Sequence, residues 1–271
     1  VFCAFFCALM MQDETEERIV RPRYFLHISY DGTNYCGWQF QANGNTVQAE
    51  IEKALRRLLR QEKVVTVGCG RTDAGVHAKN FYLHFEAEKE IDDQDMLFFK
   101  LNQLLPWDIA VHNILRVADK AHARFDATER TYEYHVHQRR NPFTHLYSKF
   151  FPFPLDVEIM NEAAQMLLDY NDFSSFQRTG GGQSTSICYV RRATWERTGH
   201  QLKFTISANR FLRNMVRAIV GTHFIIGKGR MTLDEYKTVI ESKNRMMAGD
   251  SIKAAGLHLV QVKYPFINES I

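Results

Sequence analysis

No Cys-x-x-Cys pair occurs in this chain, although it has five cysteines, Cys3, Cys7, Cys36, Cys69 and Cys188. That absence leaves neither a zinc clip nor a redox dithiol to expect, and an odd number of scattered thiols fits a reduced, cytoplasmic protein. Gly-Lys-Ser and Gly-Lys-Thr are missing too, so a phosphate-cradling nucleotide loop has no place here. Long apolar runs are also lacking. The stretch Val1 to Met11 is too short to span a bilayer, has no positive flank of the secretory kind, and is followed at once by acids. The chain begins with Val, and translation is expected to start at Met10 or Met11. Residues 1–20 are read as an N-terminal extension, disordered or not native.

Strong net charge is missing as well: the total is +3 over 271 residues, with 45% hydrophobic and 24% charged residues. That composition is ordinary for a globular chain of one large or two smaller domains. Distribution says more than the total. Residues 1–20 hold four acids and one basic side chain, so the remainder is more basic than the total suggests. From Phe173 to Arg230 there are ten Lys/Arg and a single acid, Glu196. Such a stretch can neutralise several phosphates, although a solvated basic face would look the same.

Periodicity places strands at Arg23–Tyr30, Val64–Val67, Phe81–Phe85 and Ile109–Val117, and helices from Thr46 to Arg60 and from Asp92 to Leu105. The second half reads as a strand through Tyr132–His137, a helix capped by Asp156, paired strands at Ile187–Trp195 and Leu202–Ala208, helices from Arg210 to Ile226 and Leu233 to Glu241, and a last strand, Leu257–Val262. Thr179 to Ser186 reads as a loop. Both halves mix helices with strands, so an α+β fold of two subdomains is expected, 21–120 and 121–271.

Specific chemistry concentrates in Gly70-Arg71-Thr72-Asp73-Ala74-Gly75-Val76-His77-Ala78, which follows a β-branched strand. An acid is presented at a strand end on a glycine-shaped turn, two positions from a cation. A tight turn in which Asp73 simply pairs with Arg71 would have the same spacing. On a helix starting at Arg210, Arg210, Arg213 and Arg217 would cluster opposite an apolar face, and guanidiniums suit phosphate or carboxylate. Tyr132 and Tyr134 share a strand face, which core packing would also explain. His135 and His137 share a face too, but no third ligand has a recognisable spacing, so no metal is expected. Gly68-Cys69-Gly70-Arg71-Thr72-Asp73 lacks the third glycine of a dinucleotide fingerprint.

The Asp73 loop resembles the nucleophile loop of the tRNA pseudouridine synthase A family, and the resemblance extends along nearly the whole chain. Tyr30-Asp31-Gly32 with Gly37-Trp38-Gln39, His122-Ala123-Arg124-Phe125, Arg130-Thr131-Tyr132-Glu133-Tyr134, Asn171-Asp172-Phe173, Asn209 to Arg217 and Gly256-Leu257-His258-Leu259 are similar to its other segments, in family order. The resemblance implies the pseudouridine synthase fold: two related α+β subdomains sharing an extended, largely antiparallel sheet, with the active cleft between them. It implies isomerisation of uridine at positions 38–40 of the tRNA anticodon arm, by a homodimer without metal or cofactor. By resemblance Asp73 is the nucleophile, Arg217 pairs with it, Arg71 enters the space vacated by the flipped base, and Tyr132 and Leu257 flank that base. Arg71 and Arg217 would stabilise the ionised acid, and Tyr132 is the nearest candidate for removing the C5 proton. Arg210 and Arg213 are expected to contact the substrate.

Three positions depart from the family's pattern. Phe40 stands where many relatives are basic, Thr179-Gly180-Gly181-Gly182 is unusually glycine-rich, and Ser251 to Ala255 lacks a common proline. Two other classes stay open on the residues alone. One is an RNA-binding protein without activity, and the other is a small-molecule hydrolase using Asp73.

Overall fold

A computed structural model describes residues 21–178, 180 and 185–267. The readings for residues 1–20, including a start at Met10 or Met11, lie outside the described residues, as do those for Thr179 and residues 181–184.

The first half runs β1 (Arg23–Tyr30), α1 (Val47–Leu59), β2 (Thr66–Gly68), β3 (His77–Glu86), α2 (Gln94–Leu104) and β4 (Ile109–Val117). Thr46 starts α1 by accepting a hydrogen bond from the Ala49 amide, and Arg60 ends it in the left-handed conformation at φ 56°. Val47, Ile51, Ala54 and Leu55 form its buried stripe. The second half runs β5 (Glu129–His137), β6 (Lys149–Phe150), α3 (Val157–Met166), β7 (Val190–Thr198), β8 (Gln201–Ala208), α4 (Met215–Gly227), α5 (Leu233–Glu241) and β9 (Leu257–Lys263).

All the strands join one sheet in the order β4-β1-β3-β9-β5-β8-β7, with β2 on β3 and β6 on β5. The pairs are antiparallel except β3–β9 and β5–β6. Strand β3 is the hinge of the arrangement. Strand β1 occupies the whole of one edge. The other edge is shared, with β9 beside His77 and Ala78 and β2 beside Leu83 to Phe85. The loop from Cys69 to Val76 leaves β2 and enters β3, so it lies where the two halves of the sheet meet.

Residues opposite one another across a ladder share a face. Tyr30, Ala78, Leu259, Leu257, Tyr134 and Phe204 therefore line one face, and the helices cover it. One core joins α1 and α2 to β1, β3 and β4, and takes in Leu259, Val262 and Tyr264 from the end of the chain. A second joins α3, α4 and α5 to β5, β7 and β8. Tyr132 packs against both. The other face carries His27, His77, His135 and His258, with His77 stacked on His258 at 4.7 Å. Among the described residues, no helix is long and apolar enough to cross a membrane.

Strands β2, β3 and β7 are shifted or lengthened by a few residues against expectation and β6 was not foreseen, but the difference that bears on the site is in a helix. Helix α4 begins at Met215, not Arg210, because Asn214 sits in the left-handed region at φ 69° and breaks the helical path. Its wheel is not amphipathic either, since all but Arg217, Gly221 and Ile225 are buried. Arg210 and Arg213 lie on the preceding turn, and of the three arginines only Arg217 is helical.

Candidate active site

Asp73 opens a four-residue turn in which the Val76 amide donates to the Asp73 carbonyl at 3.2 Å. Gly75 takes φ 75°, the value a type II turn requires at its third position. Gly70, by contrast, faces open space and would accommodate a side chain. The turn is fixed from β1 and the loop after it. The Tyr30 hydroxyl and Thr72 Oγ1 are buried partners at 2.9 Å, the Trp38 amide donates to the Thr72 carbonyl, and the Gly75 amide donates to the Tyr35 carbonyl. Gly37, at φ 94°, allows that approach: a Cβ there would lie 2.3 Å from the Thr72 carbonyl oxygen. Tyr30-Asp31-Gly32 and Gly37-Trp38 thus shape the Asp73 loop, a role that sequence reading did not assign them.

Asp73 is part-buried, and its cations come from across the molecule. Arg217 Nη1 lies 3.3 Å from Oδ2, and Arg213 Nε lies 3.7 Å from Oδ1. Arg217 is anchored by Nε donating to the Ile252 carbonyl at 2.7 Å. Sequence spacing favoured Arg71 as the near cation. Arg71 is exposed, and its charge acts instead on Arg124, together with Arg210 and Arg130. The expected basic face is also divided: Arg191 pairs with Glu129, Arg192 with Glu196, and Lys203 with Glu133 and Glu196. Arg210, Arg213 and Arg217 lie in the segment that leads into the site and starts α4.

The Tyr132 ring is edge-on to Phe211 at 5.2 Å, and Cys69 and Asp73 act on its hydroxyl through their charge. Burial raises its phenol pKa, and Cys69 and Asp73 add to the effect, so the hydroxyl is held neutral. Leu257 is buried at the start of β9, in the same core as Val76 and Tyr134. The Cys69 thiol is pushed up to about 11 by burial, which suits an inert packing residue. His135 hydrogen-bonds Glu133 at 3.0 Å and His137 hydrogen-bonds Ser148 at 2.9 Å, so each ring has a local partner. A cavity of about 850 Å³ is lined by Asp31, His77, Trp107, His135, Tyr147 and His258 among others, and none of Asp73, Arg71, Tyr132, Leu257, Arg210, Arg213 and Arg217 lines it.

A family model described as tRNA pseudouridine synthase matches residues 27–126 and 163–265. The chain belongs to the tRNA pseudouridine synthase family. A tRNA pseudouridine synthase A from Parabacteroides distasonis is 51% identical over 243 residues, covering 90% of this chain and 96% of that protein. One from Bacteroides fragilis is 47% identical, covering 90% and 96%, and one from Streptococcus pyogenes is 39% identical, covering 89% and 98%. The family is one of isomerases, and the α+β fold read from the sequence agrees with it. Phe40, one of the departures from the family's pattern, is 60% exposed beside α1, its amide donating to Gln48 Oε1.

Proposed function

We propose that this chain isomerises uridine to pseudouridine at positions 38–40 of the tRNA anticodon arm, with Asp73 as nucleophile. The observation that carries this reading is the carboxylate itself: part-buried, presented on a rigid turn, and faced by two guanidiniums. A carboxylate suits the reaction because it can hold base or sugar covalently while the N1–C1′ bond breaks and the C5–C1′ bond forms. The base must first leave its stack. Tyr132 and Leu257 are then the walls of the base slot, Arg71 fills the vacated space, and Arg210 and Arg213 meet the RNA backbone. Tyr132 suits stacking better than proton removal, since a half-buried phenol held neutral is a poor standing base. In the alternative of simple RNA binding, an acid beside phosphates gives no benefit.

Incubation with unmodified tRNA tritiated at uridine C5 tests the reading. Wild type should release tritium to water and Asp73→Ala should not. Tight tRNA binding without release from either protein would refute it.

The chain is further proposed to act as a homodimer in the cytoplasm, built from the subdomains 21–120 and 121–271. Support for a dimer comes from exposed apolar side chains around the histidine-bearing cavity: Trp107 is fully exposed, and Phe143, Leu146 and Tyr147 project from the nearby connection. Light scattering should give twice the mass of 31.6 kDa, and Trp107→Glu should lower it. A wild-type monomer at micromolar concentration would rule the dimer out.

A further inference from the structure

Arg130 has a part-buried guanidinium whose hydrogen bonds among the described residues all go to backbone carbonyls. Nη1 donates to the carbonyls of Ala127 and Asn209 at 2.8 and 2.7 Å. Nη2 donates to those of Cys69 and Arg124 at 2.9 and 2.6 Å. One side chain therefore ties together three separate segments, and each carries an arginine: Arg71 just after Cys69, Arg124 itself, and Arg210 just after Asn209. Arg124 feels them: although it is exposed, its pKa is lowered by partial desolvation and then by the charges of Arg71, Arg210 and Arg130. Like charges gathered with no acid paired to Arg71, Arg124 or Arg210 among the described residues cost free energy, and they are worth gathering where an anion is to arrive.

The segment holding Arg124 is stiffened to match. His122 Nδ1 accepts from the amides of both Arg124 and Phe125 at 3.1 and 3.2 Å, and the His122 amide donates to Asp126 Oδ2 at 2.7 Å. On this small frame the Phe125 ring packs against His122 at 4.2 Å, lies 5.7 Å from the Arg124 guanidinium, and is still 74% exposed. An apolar ring held in place yet left open to solvent, beside a basic cluster, has the chemistry of a nucleobase platform.

We propose that Arg124, with Arg210, forms a phosphate-binding cluster beside the Asp73 loop, that Phe125 is a stacking platform for an unpaired base next to the target uridine, and that Arg130 is the positioning residue holding the cluster in register. This rests on the tRNA isomerase reading and adds to it the contacts that seat the RNA. A guanidinium is needed at 130 because a lysine ammonium cannot serve four carbonyls from one plane.

The test uses purified full-length protein and unmodified tRNA, measuring tritium release and the salt dependence of binding. Arg124→Ala should raise KM for tRNA roughly tenfold, with a much smaller change in kcat. It should also reduce the slope of log affinity against log salt by roughly 0.7 to 0.9, the loss of one phosphate contact. Phe125→Ala should raise KM without changing the salt slope. Arg130→Lys should lose more affinity than Arg124→Ala, and adding Arg124→Ala to it should cost little more. Arg124 and Phe125 are exposed, so their variants should keep the wild-type unfolding midpoint even if Arg130→Lys fails to fold. Wild-type KM and salt slope in Arg124→Ala, with tritium still released, would overturn the cluster and leave the isomerase reading standing. Absence of release by wild type would sink the isomerase reading, and the salt slope of tRNA binding would still decide the phosphate site.

Discussion

Arg217 reaches Asp73 with one end of its guanidinium while the other is fixed: Nη1 lies 3.3 Å from Oδ2, and Nε donates to the Ile252 carbonyl at 2.7 Å. The planar fork does two jobs that a point charge cannot combine. Arg217→Lys should keep the charge but lose either the anchor or the carboxylate. The expected result is a fall in kcat of about 10²-fold with little change in the unfolding midpoint. Tritium release and a urea curve check both halves, and a kcat within threefold of wild type would refute a geometric role.

Removing the acid should separate catalysis from binding. Asp73→Asn keeps the shape of the turn, since the Val76 amide bonds the Asp73 backbone carbonyl and not its side chain. Arg213 and Arg217 then lose their counter-charge, which leaves the site more attractive to phosphate. The variant should lose roughly 10⁴-fold or more in turnover while binding tRNA as tightly as wild type or more so. Weaker binding than wild type, measured by filter retention, would contradict this electrostatic picture.

What could be read from the sequence, and what could not, divides along physical lines. The strands Arg23–Tyr30 and Ile109–Val117 and the helix Leu233–Glu241 have the bounds that periodicity and capping give, because each is a local pattern. The start of α4 was misplaced because apolar spacing says nothing about a left-handed Asn214, and with it went the picture of three arginines on one helix face. Arg213 could be named as a basic residue but not as a partner of Asp73, since the two are brought together only by the fold. The parallel pairing of β3 with β9 leaves no mark in either strand, yet it sets the Asp73 loop at the join of the sheet. Arg130 was hidden for a different reason: its partners are carbonyl oxygens, which every residue has.

Gly37 offers a test of how the loop is held. At φ 94°, with the Thr72 carbonyl oxygen 2.3 Å from where a Cβ would stand, Gly37→Ala is both conformationally strained and overpacked against backbone. A destabilisation of roughly 2–4 kcal/mol is expected. Thr72 precedes Asp73, so the displaced backbone should also lower kcat under conditions where the variant is fully folded. Equilibrium unfolding and tritium release below the melting range measure the two effects. Full kcat in a folded variant would mean that this contact does not position Asp73.

Acid sensitivity should come from the histidines before the carboxylates. His84, His223 and His258 are each buried, and burial lowers each to about 3. They are neutral in the fold, whereas in the unfolded chain they bind protons as pH falls through about 6.5. The unfolded state therefore holds more protons between pH 6.5 and 3, so stability must fall as pH drops through that window. Each such group contributes about 1.4 kcal/mol per pH unit once well below 6.5. Between pH 6.5 and 5 ordinary carboxylates hardly titrate, which isolates the effect. His258 accepts substitution best for the test. It lies in the sheet face away from the helices, and among the described residues its ring hydrogen-bonds the Tyr147 carbonyl at 2.8 Å, a contact an amide side chain can replace. His258→Gln should show a shallower decline in unfolding free energy from pH 6.5 to 5 than wild type. Parallel declines in the two proteins would mean that His258 is protonated in the folded state, and that its burial between His77 and His135 does not exclude the charge.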